Sequence, residues 1–213
     1  MKIQDVEQGT EAWHNIRVGR PTASQFSRII TAARGDLSKS WKGYAIELIA
    51  ECFVPFVSDF TGNKWTDRGM ELEPLAREAF ALRTGFDVRK VGFITRDDGV
   101  AGCSPDGLIY DADGKIVAGL EIKCPMPKTH VEYLCEGTLP DDYKAQIHGG
   151  LAVTGLDEWH FWSWHEGMKP LHIVVGRDAY TEKVSVALDQ FITDYAALRK
   201  QVIPKVQIET KPE

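Results

Sequence analysis

A chain of 213 residues, 43% apolar and 26% charged, can bury one sizeable core, and a single domain over residues 1–213 is expected. No apolar run is long enough to span a membrane, and the opening MKIQDVEQGTE lacks the layout of a signal peptide, so a cytoplasmic location without membrane contact is expected. The net charge of −6 argues against a protein that coats nucleic acid with its whole surface.

In chain order, Thr10 is an N-cap candidate for a helix to Arg17, with Trp13, Ile16 and Arg17 at helical spacing and Trp13 expected in the core. Pro21 precedes a second helix, Thr22 to Ala33, which should bury Phe26, Ile29 and Ile30. A third starts at Ser38 or Ser40 and runs through Tyr44, Ile46, Leu48 and Ile49 to Cys52, ended by Val54-Pro55-Phe56. Residues 57–67 read as a loop with an exposed Trp65, and a long helix follows from Arg68 to Thr84 with Gly85 as its cap. This helical part covers about 1–86. The sheet part, about 87–203, has strands near Val88–Thr95, Gly99–Ser104, Leu108–Asp111 and Ile116–Lys123. A helix over Pro140–Thr154, aromatic-rich strands at Glu158–His165 and Leu171–Val175, and an amphipathic helix from Tyr180 to Gln201 complete it. From Pro204 to 213 the chain reads as a polar tail.

The most informative stretch is Ser104-Pro105-Asp106-Gly107 and, fourteen positions after Gly107, Glu121-Ile122-Lys123. Val117 to Cys124 (VAGLEIKC) has the composition of a buried strand, so Glu121 and Lys123 share one face. Asp106 follows the strand-like Val100–Cys103, and Asp111-Ala112-Asp113-Gly114 supplies a turn. Antiparallel pairing of those two strands would put Asp106 beside Glu121. A Pro-Asp turn and an E-x-K occur by chance in many chains. A glutamate and a lysine inside an apolar strand are costly without partners, however, and a metal ion held by Asp106 and Glu121 removes that cost. Mg²⁺ suits two carboxylates plus waters. This is the PD…(D/E)xK pattern of metal-dependent nucleases.

Further motifs occur in order around it. They are Val6-Glu7-Gln8-Gly9, Ala12-Trp13-His14, Ile16-Arg17-Val18-Gly19, Thr22-Ala23-Ser24, Arg68-Gly69…Glu73…Ala76-Arg77, Cys103 to Leu108, Glu121 to Pro125, and Tyr143…Ala145-Gln146. Over nearly the whole chain they resemble the phage lambda exonuclease family, the phage-type 5′→3′ double-strand DNA exonucleases. The resemblance implies an α/β fold of restriction-endonuclease type, a central mixed sheet flanked by helices. It implies two Mg²⁺ ions per site, with Mn²⁺ able to substitute, and the Ile122 main-chain carbonyl as a further ligand beside Asp106 and Glu121. Glu73 would face the metals directly or through water, whereas Glu71 and Glu78 read as solvated helix carboxylates. Gln146 would lie beside the active site. Arg17 and Ser24 would bind the 5′-phosphate, a role that the guanidinium fork and a hydroxyl near a helix start both suit. Lys123 has two open roles, orienting or deprotonating the attacking water, or stabilising charge on the phosphate.

The implied activity is a Mg²⁺-dependent exonuclease that degrades one strand from duplex DNA ends to mononucleotides, leaving a 3′ overhang for recombination. A ring-shaped homotrimer, a single-strand annealing partner and a phage or prophage origin in a bacterial host are implied with it. How an acidic chain holds DNA has two answers, positive charge gathered in one groove or weak binding helped by metal and enclosure. Cys52, Cys103, Cys124 and Cys135 are dispersed free thiols, unlike the grouped cysteines of iron–sulfur nucleases. His148, His160, His165 and His172 read as structural. The competing functions are a site- or structure-specific endonuclease and an inactive adaptor for DNA ends; intact Asp106, Glu121 and Lys123 speak against the adaptor.

Overall fold

The computed structural model describes residues 1–31, 33–54 and 64–206, with side chains throughout except those of 64–67 and 70. A hairpin carries the site. Strand β5 (Gly107–Tyr110) and strand β6 (Ile116–Lys123) pair antiparallel. In the turn between them the Asp111 side chain accepts from the amides of Asp113 and Lys115. Strands β2 (Asp87–Arg89), β7 (Glu158–Ser163) and β8 (Leu171–Gly176) complete a mixed sheet of order β2-β5-β6-β7-β8, in which β6 and β7 alone run parallel. The crossover between β6 and β7 contains helices α4 (Pro127–Glu136) and α5 (Asp141–Thr154), as a parallel pair requires.

Helix α5 packs one face of this sheet together with α2 (Trp41–Glu51), α6 (Ala179–Val206) and a 3₁₀ helix, Ala23–Arg28. The larger apolar core lies there, around Phe26, Leu151, Trp159, Phe161 and Phe191. Gly150 permits this approach, since a Cβ would sit 2.5 Å from the Trp159 ring. The opposite face is covered by α3 (Lys64–Thr84), whose Ala76 and Phe80 pack on Leu120, Ile122 and Trp162. Side chains alternate along β6, so Leu120 and Ile122 meet α3 while Glu121 and Lys123 turn toward α5. A smaller sheet, order β1-β3-β4, joins Lys2–Gln4, Phe93–Thr95 and Gly102–Cys103. Helix α1 (Glu11–Arg17) starts at Thr10, whose side chain accepts from the Trp13 amide.

Several expectations need correction. Val88–Thr95 is two strands in two sheets, β2 and β3, because the N-terminal segment crosses at Gly92, where a Cβ would lie 1.6 Å from the Val6 carbonyl oxygen. Asp106 reaches Glu121 through β5, not through the run before it: β4 pairs with β3. Thr22–Ala33 is a 3₁₀ helix over Ala23–Arg28, although Phe26, Ile29 and Ile30 are buried as expected. Ile46 is exposed, and Trp13 is half-buried. Helix α3 begins at Lys64 rather than Arg68; residues 57–63 of the expected loop, and the exposure of Trp65, lie outside the described residues. Helix α4 was not anticipated, and α6 continues through Pro204 to Val206, so the start of the expected tail is helical. The mixed α/β sheet flanked by helices is present.

Candidate active site

The β5–β6 hairpin builds the acidic pair. The Asp106 amide donates to the Leu120 carbonyl at 2.9 Å, continuing the ladder by one residue, and Asp106 Oδ2 accepts from the Ile122 amide at 2.6 Å. Two residues along β6 on the α5 side, Glu121 Oε1 accepts from Lys123 Nζ at 2.5 Å and from Gln146 Nε2 at 2.6 Å. Asp106, Glu121, Lys123 and Gln146 therefore form one cluster, and the Ile122 backbone lies inside it. Lys123 Nζ also sits 5.1 Å from the centroid of the Tyr143 ring, one turn before Gln146 on α5.

Electrostatics follow from crowding. Burial, then the neighbouring charge of Glu121, pushes the Asp106 carboxyl well above its ordinary value, against the opposing pull of Lys123. Burial alone would lower Lys123, but Glu121 and Asp106 more than offset it and hold the ammonium above its ordinary value. Lys123 is thus a charged group at neutral pH.

A metal fits this donor set. In the hydrogen bonds of the described residues, Asp106 and Glu121 each engage a single carboxylate oxygen. Among those residues no three His, Cys, Asp or Glu side chains converge. The protein can offer two carboxylates and the Ile122 carbonyl, with water completing the shell, which is the pattern of a hard cation such as Mg²⁺ and not of zinc. Glu73 lies near enough for its charge to raise Asp106 further, yet its own carboxylate is ion-paired with Arg77, one helical turn on.

The Asp106 carboxyl should carry a stability signature. An acid whose folded pKa is raised penalises the fold above that pKa and not below its ordinary value of 3.8. Asp106→Asn, which keeps an acceptor for the Ile122 amide, is therefore expected to stabilise the metal-free protein at pH 8 by about 1 kcal/mol, or about 2–4 °C. The gain should shrink as pH falls toward 3.8. Thermal melts of both proteins in chelator, across pH, test this; a destabilised variant at pH 8 refutes it.

A second cluster adjoins the first. The Arg17 guanidinium lies 3.9 Å over the Trp13 ring, and its Nη1 donates to Ser104 Oγ at 3.3 Å. Trp13 Nε1 donates to the same hydroxyl at 3.0 Å and to the Gly92 carbonyl at 3.1 Å. Gln8 Nε2 donates to the carbonyls of Pro105 (3.0 Å) and Val91 (2.8 Å). Burial lowers the Arg17 pKa, with Tyr44 and Glu51 acting the other way, and no ion pair of Arg17 with a carboxylate occurs among the described residues. A recessed guanidinium without an acidic partner suits an anion. Ser24 is exposed, near the start of the 3₁₀ helix, and its hydroxyl meets Thr22 Oγ1 at 3.4 Å. Arg17 and Ser24 are not linked by a hydrogen bond among the described residues.

Sequence reasoning passed over Ser104, Gln8, Tyr143 and Arg77 as contact-making residues. All stand inside the motifs, but only the fold reveals that they meet at the Ser104–Asp106 loop or at Lys123. The histidines lie elsewhere. His148 Nδ1 meets Thr181 Oγ1 of α6 at 2.8 Å, away from Gln146, and His160 bridges His172 and Glu158 on the α3 side of the sheet.

The family and the fold have counterparts among known proteins. Residues 12–157 match the model of the YqaJ-like viral recombinase domain. An alkaline exonuclease, LHK-Exo from Laribacter hongkongensis, is 28% identical with a TM-score of 0.71, covering 92% of this chain and 100% of that one. Its structure in complex with dAMP gives a TM-score of 0.72 over the same extent. A phage-related exonuclease from Haemophilus somnus 129PT shares the fold (16% identity, TM-score 0.65, 91% and 99% coverage). No curated protein matches. The chain belongs to the YqaJ-like viral recombinase family and has the fold of the alkaline exonucleases.

Proposed function

We propose that the protein is a Mg²⁺-dependent exonuclease that degrades the 5′ strand of duplex DNA ends. That it is a nuclease enzyme follows from its family and from its likeness to an alkaline exonuclease. The observation that carries the finer reading is the joining of two clusters. The Asp106–Glu121–Lys123–Gln146 centre and the Arg17 pocket meet at one three-residue loop, Ser104 to Asp106. An anion site this close to the acids can hold a terminal phosphate while the adjacent phosphodiester lies at the acids.

Asp106 and Glu121 would hold the metal, which when bound acidifies a water and stabilises the leaving oxygen. Gln146 fixes the Glu121 carboxylate by donating to Oε1. Lys123, held charged by both acids, is better suited to stabilising negative charge on the phosphate than to taking a proton. Arg17 would grip the 5′-phosphate and so set direction. The relative bound to dAMP supports release of mononucleotides. A 3′ overhang of this origin would serve a single-strand annealing partner in recombination, and a ring-shaped homotrimer would explain how an acidic chain stays on DNA. No helix among the described residues is long and apolar enough to cross a membrane, and action on DNA in the cytoplasm of a bacterial host is the setting that a viral recombinase family suggests.

Digestion of linear duplexes with 5′-phosphate or 5′-hydroxyl ends, with Mg²⁺ or chelator, tests this reading. Mononucleotides from the 5′-phosphorylated strand, in Mg²⁺ only, are expected. A circular plasmid should stay intact; its linearisation would identify an endonuclease instead.

Lys123→Ala separates the roles within the centre. It should keep metal binding, read by calorimetry, and lose most activity. Loss of metal affinity as well would make Lys123 a scaffold for the acids.

A further inference from the structure

We infer that Arg77 is a positioning residue for this nuclease centre, holding the third carboxylate and the catalytic loop in one grip. The inference rests on the proposed nuclease reading and deepens it. Arg77 Nε donates to the Asp106 carbonyl at 2.8 Å while its Nη2 pairs with the Glu73 carboxylate. The side chains are only 15% and 25% exposed, unlike an ordinary solvated i,i+4 pair on a helix.

The loop needs such a hold. Pro105 has no N–H to donate, and the carbonyls of Pro105 and Asp106 are taken by side chains from elsewhere, Gln8 and Arg77. Gln8 and the α1 residues grip the loop from one side, and Arg77 grips it from α3. Among these described loop contacts, Arg77 alone also pairs with a carboxylate, that of Glu73. Its planar fork spans two acceptors at once, one on the backbone that carries Asp106 and one on Glu73. A lysine ammonium is a single point and cannot hold both in that geometry. Arg77 therefore sets where Glu73 stands relative to Asp106, beside the acidic pair and turned onto a guanidinium. From there, with its carboxylate on the Arg77 fork, Glu73 would act on a bound cation from the outer shell rather than as a ligand.

The test uses the full chain with Arg77→Lys, Arg77→Met, Glu73→Gln and the Glu73→Gln/Arg77→Met double variant. Three readouts are taken: steady-state digestion of 5′-phosphorylated duplex, Mn²⁺ affinity by calorimetry, and melting in chelator. Both Arg77 variants are expected to lower kcat by ten- to a hundredfold with KM for duplex changed less than threefold, and to weaken Mn²⁺ binding severalfold. The double variant should fall no more than about twofold below the worse single variant, because the two side chains act as one unit. Wild-type kcat and Mn²⁺ affinity in Arg77→Lys would overturn the inference, as would penalties that multiply in the double variant. Should Arg77→Met fail to melt cooperatively, Arg77→Lys and Glu73→Gln decide alone, matching losses supporting the grip and unequal ones refuting it. A wild type that digests no duplex refutes the nuclease reading itself, while the Mn²⁺ arm still judges Arg77.

Discussion

Glu121→Ala and Asp106→Ala are each expected to lower digestion of duplex DNA by more than about a thousandfold. A thousandfold corresponds to about 4 kcal/mol, within what a metal supplies to a transition state through charge stabilisation and an acidified water. On the proposed reading the two acids would share the work of holding that ion, so neither loss could be made good by the other. The structure adds a control. Glu121 accepts from both Lys123 and Gln146, so alanine strands a recessed ammonium and an amide. Glu121→Gln keeps the volume, removes the charge, and should be as inactive with a nearly native melting temperature. Near-normal digestion by a folded Glu121→Gln protein would remove Glu121 from the centre. Ca²⁺, larger and poorly matched to an octahedral site, should support binding with little cleavage.

The second large effect concerns direction. Arg17→Ala should cut activity on 5′-phosphorylated duplex by roughly thirty- to a hundredfold, the equivalent of about 2–3 kcal/mol for one charge-assisted contact in a recessed site. On 5′-hydroxyl ends the variant should differ little from wild type, because no phosphate is there to be held. Trp13 and Ser104 orient the guanidinium, so Arg17→Lys should recover only part of the loss. The comparison is wild type and variant on both ends at matched salt, since screening alters every phosphate contact. If the variant keeps the full preference for 5′-phosphate, the reader of the end lies elsewhere.

Much of the centre was legible because buried charge is conspicuous. A glutamate and a lysine two apart in an apolar strand announce a shared face and a shared partner, and the hairpin turn at Asp111–Gly114 places the strand before it. Caps were legible for the same local reason: Thr10 accepts from the Trp13 amide, and Gly85 takes a positive φ of 74° to close α3. What escaped is set by distant contacts. Val88–Thr95 is rich in strand-forming residues on either side of Gly92, and the passage of Val6 over that glycine divides it. The pairing of β4 with β3 likewise depends on where the N-terminal segment lies, which no local pattern encodes. Helix α4 is short and opens with a proline, and it escaped although Val131, Leu134 and Cys135 stand at helical spacing. Arg77 was hidden for the opposite reason, since Glu-x-x-x-Arg on a helix is the commonest form of a surface pair.

The grip on the Ser104–Asp106 loop has a consequence for how the enzyme comes into being. Gln8 reaches Pro105 across 97 positions of sequence, Trp13 reaches Ser104 across 91, and Tyr195 of α6 closes onto the Gly19 carbonyl across 176. Contacts this remote form late, because the entropy of closing long loops must be overcome before they reward the chain. During synthesis the amino-terminal helix emerges first but has nothing to dock on until the hairpin follows, and α6 arrives last of all. A partly made or partly unfolded chain is expected to carry its acids without the loop held in place. Competence to cut DNA is then a property of the finished molecule, and pulse-labelled hydrogen exchange during refolding should find the amide of Gly102, which donates to the distant Pro21 carbonyl, protected later than the hairpin amides of Asp106 and Ile122.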